Sequence, residues 1–198
     1  MGYRTLRVIN DDIVAPGMGF GTHGHRDAEI FTYVIEGELA HKDSMGNGRT
    51  IKAGDLQYMS AGSGVQHSEF NSSQTTPSHF LQVWLKPNQT GGEPLYAEKT
   101  LGTEAKPNAL TLLLAPEARD GAVAIRQDAE ISFGRLIAGN TLALHPGADR
   151  GVYLHVIAGE IEVIGEKLGG GDGASVEGAG SIEINGVRDA EFLAFVLS

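Results

Sequence analysis

The sequence predicts an all-β protein built from two similar units. Three observations carry that expectation. Short runs rich in Val, Ile, Phe and Tyr are broken by 28 glycines in 198 residues. Asn47-Gly48 supplies a strong tight-turn dipeptide between two extended segments. A stretch in the second half repeats the order of features found in the first. Frequent Gly between β-branched and aromatic runs punctuates many short strands rather than long helices.

Taken in order, FTYVIEGELAHKD alternates imperfectly and leads into SMGNG, the expected hairpin turn, after which RTIKAGDLQYMSAG resumes extended character. HFLQVWLKP follows as a strand stopped by Pro87. Residues 88–109, NQTGGEPLYAEKTLGTEAKPNA, are polar and rich in Gly and Pro, which predicts an inter-domain connection with a boundary near residue 95. Beyond it, VIAGEIEV echoes VIEGELAH, the clearest part of an internal repeat of one β unit. In the second copy the segment LHPGADRG keeps only His145 where the first copy has two histidines. GGGDG at 169–173 has no helix signal after it and reads as a flexible loop, followed by a strand in the segment that ends SIEI.

Composition excludes several classes of function. A formal charge of -10 and no basic run argue against nucleic acid as a partner. No segment approaches 18 uninterrupted apolar residues and the N-terminus lacks an apolar leader, so no membrane partner is expected and a cytoplasmic location is. With zero cysteines there is no disulfide framework and no thiolate site, so any metal must be held by nitrogen and oxygen. The nucleophile elbow, the phosphate loop and the dinucleotide fingerprint are all missing from the sequence.

What remains is a set of histidines. His23 and His25, two residues apart, point from one face if their segment is extended. The same spacing recurs 42 residues after His25, in His67 and Glu69. Two facing strands could deliver three imidazoles and one carboxylate to one point. Such a donor set suits Fe, Mn, Co, Ni, Cu or Zn rather than Mg or Ca, and on a six-coordinate ion it leaves positions open for chemistry.

Glu29, at an even offset from His25, is a further candidate as fifth ligand, as acceptor for an imidazole N–H or as general base. A plain exposed glutamate is the alternative. His41 is expected at the surface or at a barrel mouth, and His79 and His155 as packing residues. Gln82 and Trp84 alternate on one strand, so one face could carry both toward the cavity, with Trp84 read mainly as core.

These residues resemble the cupin superfamily and, more closely, its pirin branch. The first cupin motif is similar to Gly21 through Glu29 followed by Glu36-Gly37-Glu38, and the second to Gly54-Asp55 running through Ser60-Ala61-Gly62-Ser63-Gly64 to His67-Ser68-Glu69 and Asn71. Pirin-like chains pair His-x-His-Arg/Lys with a downstream His-Ser-Glu, as here. The match is specific over residues 4–85 and diffuse but colinear afterwards. Such chains usually carry additional residues ahead of the segment matched by Arg4–Asn10.

The resemblance implies a bicupin, two face-to-face β-barrels of the double-stranded β-helix or jelly-roll type. Residues 1–95 would form an N-terminal metal-binding barrel and residues 96–198 a C-terminal barrel without a metal site. It implies one divalent metal, commonly Fe(II), with Mn, Ni, Co, Cu and Zn as alternatives, held by His23, His25, His67 and Glu69. It also implies a quercetin 2,3-dioxygenase type of oxidoreductase, acting on a flavonol or related enediol, with Glu69 or Glu29 taking the substrate proton. The alternative it implies is a non-catalytic regulator whose metal or redox state governs binding of a protein partner.

Overall fold

The computed structural model describes residues 2–102, 105–178 and 180–198. Thr103 and Glu104, inside the expected connection, and Ala179, inside the segment after residue 169, lie outside the described residues. Among the described residues there is no α-helix, and the all-β expectation holds. The chain divides into two units, Met1–Gly102 with Ile125–Gln127, and Thr103–Ala124 with Asp128–Ser198.

The first unit contains β1 (Leu6–Val14), β2 (Gly19–His25), β3 (Glu29–Glu36), β4 (Glu38–Asp43), β5 (Gly48–Lys52), β6 (Asp55–Ser60), β7 (Val65–Phe70), β8 (Ser78–Leu85) and β9 (Leu95–Thr100). They form a five-stranded sheet, β1-β8-β3-β6-β9, and a four-stranded sheet, β2-β7-β4-β5. The two sheets face each other, since Gln57 of β6 reaches His41 of β4 and Gln82 of β8 reaches Glu69 of β7. Val34, Leu39, Ile51 and Phe80 make one apolar cluster, and Ile30, Met59, Ala61 and Val65 another.

Local chemistry explains the elements. The run FTYV alternates poorly because β3 is central in its sheet and nearly every residue of it is buried. Gly37, between β3 and β4, has φ +75°, and a Cβ there would lie 2.6 Å from the Pro77 carbonyl oxygen, so no other residue fits that corner. β4 and β5 pair as the hairpin expected around Asn47-Gly48. Its turn is fastened by Asp43, whose Oδ1 accepts the N–H groups of Met45 and Asn47. The polar connection expected over residues 88–109 contains a strand: β9 pairs with β6 from Asp55↔Thr100 to Ser60↔Leu95. Edge pairing supplies partners that the polar composition of this stretch did not advertise.

The second unit contains β10 (Ala109–Ala115), β11 (Val123–Ala124), β12 (Ala129–Leu136), β13 (Thr141–Leu144), β14 (Gly151–Val163), β15 (Glu166–Gly169), β16 (Gly173–Glu177) and β17 (Ile182–Leu197). One sheet runs β11-β10-β12-β17-β14-β15, with β13 on β17 and β16 on β14. Leu154, Val156, Ile161, Ile184 and Phe192 centre its core. The glycine-rich 169–173 is a tight turn rather than a free loop: Gly169 ends β15, Gly173 begins β16, and Gly169 N–H donates to Asp172 Oδ2 at 2.9 Å. His145 follows β13 and is exposed.

Candidate metal centre

The pairing of β2 with β7 builds the cluster. His23 is registered opposite His67 and His25 opposite Val65, with a bulge between Phe20 and His23 that sets the phase of the two histidines. The strands approach closely because Gly19 has no side chain: a Cβ there would lie 2.2 Å from the Glu69 carbonyl oxygen. On the other side β4 pairs with β7, placing His41 opposite Glu69 and Asp43 opposite His67.

Three imidazoles meet in this arrangement. His25 Nε2 and His67 Nε2 are 2.9 Å apart, and His67 Nε2 and His23 Nε2 are 3.1 Å apart. His23 Nδ1 donates to the Gly21 carbonyl at 2.8 Å; a carbonyl oxygen only accepts, so neutral His23 presents a lone pair at Nε2. Burial first, then the neighbouring His23, pushes the His25 pKa down. For His67, burial and then His25 and His23 push it down to about 3. The His25 and His67 rings are therefore suited to act as neutral nitrogen donors near neutral pH.

His67 Nε2 faces two other Nε2 atoms, while His67 Nδ1 is buried without a hydrogen-bond partner among the described residues. A cation between the three Nε2 atoms would let each of them face the others as a lone pair. Two nitrogens each about 2.1 Å from one ion stand about 3.0 Å apart at a right angle and about 3.4 Å apart at the tetrahedral angle. The observed spacings bring these nitrogens close enough to share one divalent transition ion.

Glu69, also on β7, is 1% exposed. Its Oε2 accepts a 2.6 Å hydrogen bond from the Gln82 amide, and its Oε1 is buried without a hydrogen-bond partner among the described residues. Burial, opposed by that hydrogen bond, pushes its pKa up to about 7. An ionised carboxylate at this depth calls for a positive partner. The donor atoms of His23, His25 and His67 form one compact group, and those of His41, His67 and Glu69 a second that shares His67.

Glu29 is not brought to the cluster. β3 begins afresh after a turn at Arg26–Ala28, so the even offset from His25 carries no facing information. Glu29 is 1% exposed and is held by the Tyr58 hydroxyl, by Ser60 Oγ at 2.6 Å and by the Arg126 N–H at 3.1 Å. Tyr58 and Ser60 lie on the sheet face opposite that of Gln57, whose amide reaches His41. The roles expected for Glu29 as ligand or base at the histidines are thus corrected to a buried hydrogen-bond acceptor.

His41 is also corrected. It is 2% exposed, not at the surface, with Nε2 3.1 Å from Asp43 Oδ2, Nδ1 3.0 Å from Gln57 Nε2, and its ring 5.3 Å from that of His67. The signal available in the sequence was the i, i+2 pair His41 and Asp43, a carboxylate placed to orient an imidazole. Trp84 lines the site rather than only the core. Its ring is 4.6 Å from His25 at 88°, and its Nε1 donates to Gln82 Oε1 at 3.3 Å. His79 pairs with Asp11 at 2.6 Å, away from the cluster, and His155 is buried within β14 of the second unit.

Comparison with known proteins adds to this geometry. Residues 1–85 match the family model described as Pirin, and residues 112–197 the one described as Quercetinase C-terminal cupin domain. The chain is 40% identical over 198 residues to the quercetin 2,3-dioxygenase of Escherichia coli, covering all of this chain and 84% of that protein. It is 40% identical over 195 residues to a pirin-like protein of Caulobacter vibrioides, covering 98% and 83%. The crystal structure of YhhW from Escherichia coli superposes with a TM-score of 0.96 at 39% identity, covering all of this chain and 83% of that one. A structure of the bacterial pirin YhhW in complex with nickel(II) gives 0.95 at 39% identity, covering 100% and 84%.

Proposed function

The chain belongs to the pirin family, and from that premise we propose that it is a metal-dependent dioxygenase acting on quercetin-like flavonols or related enediols. The observation that carries the proposal is the convergence of three imidazole Nε2 atoms from β2 and β7, with the buried, half-satisfied carboxylate of Glu69 on the same β7 strand. The names of the Escherichia coli relatives, a quercetin 2,3-dioxygenase and a nickel(II)-bound pirin, support the same direction.

In this reading His23, His25, His67 and Glu69 hold one divalent ion, proposed to be Fe(II). When bound, that ion supplies positive charge toward an ionised substrate oxygen and the redox chemistry needed for dioxygen. The protein's own groups do the rest. His23 is fixed as a donor through Nε2 because its Nδ1–H donates a hydrogen bond to the Gly21 carbonyl. Gln82 holds one oxygen of Glu69, which leaves the other to serve the ion or to take the proton of a substrate hydroxyl. Trp84, against His25 and hydrogen-bonded to Gln82, presents an aromatic wall to the site.

The test is aerobic loss of quercetin, followed together with oxygen uptake, in the wild type and in His67→Ala. Stoichiometric consumption of both by the wild type, abolished in the variant, is the expected result. Turnover retained in His67→Ala would overturn the proposal.

A further inference from the structure

We propose that a second site, walled in part by Trp84, binds a small aromatic carboxylate. A cavity of about 330 Å³ is lined by Arg7, Arg26, Lys86, Asp27 and Trp84 among others, a volume suited to a small organic ligand. Three cations and one carboxylate surround it in a chain whose formal charge is -10. None of the three cationic head groups has an ion-pair or hydrogen-bond partner among the described residues. A group of unpaired cations outnumbering one carboxylate, in an otherwise acidic protein, is a place where an anion is drawn in against the overall field.

The backbone builds this cluster from three separate features. Arg7 is the extra residue of a β-bulge, since Leu6 pairs with Leu85 while Val8 already pairs with Trp84, and a bulge re-aims the side chain it adds. Arg26 precedes Asp27, which has φ 50°, donates its N–H to the Gly62 carbonyl and accepts the Gly91 N–H at 2.5 Å through Oδ1. The one acidic group lining the cavity is thereby partly committed to its own turn. Lys86 is fixed at the end of β8 by its N–H to the Thr5 carbonyl at 2.9 Å.

Chemistry narrows the occupant. Two guanidinium forks match a planar carboxylate through paired N–H bonds, and an indole wall favours an aromatic body beside it. The site goes beyond the oxygenase reading and does not depend on it: its ligand is bound, not transformed.

Trp84 is the single tryptophan of the sequence and lies against both this cavity and His25, so its fluorescence reports binding at either place and the arginine variants assign it to the cavity. The protein as purified is titrated with benzoate, with benzyl alcohol and with inorganic phosphate, and the benzoate titration is repeated in Arg7→Ala and Arg26→Ala. The expected result is a saturable change with benzoate, a Kd raised about tenfold in each variant, and no saturation with benzyl alcohol. Phosphate is expected to compete poorly. No saturable response to benzoate, an unchanged Kd in both variants, or phosphate displacing benzoate as well as benzoate itself would overturn the proposal. Arg26→Gln and the melting temperature of each variant separate loss of the site from loss of the fold. Because neither oxygen nor flavonol is present, failure here and failure of the dioxygenase reading are separate results.

Discussion

The side-chain amide of Gln82 donates a 2.6 Å hydrogen bond to Glu69 Oε2, tying β8 of one sheet to β7 of the other across the middle of the first unit. The other amide atom, Gln82 Oε1, accepts from Trp84 Nε1 at 3.3 Å. Glu69 is therefore oriented by a residue that is itself oriented, and only its Oε1 is left over.

Removing that support should weaken metal binding without dismantling the fold. Gln82→Ala is expected to lower affinity for a divalent ion by about 10–100-fold, the usual cost of losing an orienting partner of a ligand. Competition against a chelator of known affinity measures it. The melting temperature after chelation should change far less than the affinity.

Glu29 should behave in the opposite way. Its carboxylate serves Tyr58, Ser60 and the Arg126 N–H, and burial, then the charge of Glu29, drives the Tyr58 hydroxyl well above its ordinary pKa, so Tyr58 stays a donor. Glu29→Ala strands those buried donors and is expected to cost about 3 kcal/mol in a denaturant titration. Metal content per folded chain should be unchanged.

Gly19→Ala tests how the cluster is assembled. The added Cβ would lie 2.2 Å from the Glu69 carbonyl oxygen, and the nearest atoms include backbone, so β2 must move away from β7. The variant is expected to lose both stability, by about 2 kcal/mol or more, and metal affinity, because the same separation pulls His23 and His25 from His67. Circular dichroism melts and chelator competition on one preparation check the two together.

Acid should weaken the β4–β5 hairpin through His41. Burial, against the pull of Asp43, holds the His41 pKa below its ordinary 6.5. Burial also pushes Asp43 up, but hydrogen bonds from Asn47, His41 and Met45 outweigh it and leave the carboxyl below its ordinary 3.8. A depressed folded value means that the unfolded chain binds the proton more readily, so the stability is present above 6.5 and is lost as pH falls from there. Melting temperatures of chelator-treated protein, from about pH 8 to about pH 5, should fall less steeply in His41→Gln than in the wild type.

The legible part of the site was the part written in spacing. His23 with His25, and His67 with Glu69, are i, i+2 pairs, and strand geometry alone sends each pair to one face. Facing relations across chain reversals were not legible. Glu29 misled because the turn before β3 resets the phase, and His41 because its burial depends on β7 and β6 lying beside and above it. The strand β9 was hidden in a polar stretch because pairing with β6, not its own composition, makes it a strand. Glycine punctuation identified the all-β class since each tight corner, such as Gly37, leaves a local mark.

The central claim is that His23, His25, His67 and Glu69 hold one ion. Elemental analysis of untagged protein, with each chain counted by amino-acid analysis, tests it most directly. Close to one divalent transition ion per chain is expected in the wild type, and near zero in His67→Ala, since the imidazole lost there meets both of the others. An ion retained at full stoichiometry in His67→Ala, or a wild type that takes up none from a solution of Fe(II), Ni(II) or Mn(II), would contradict it.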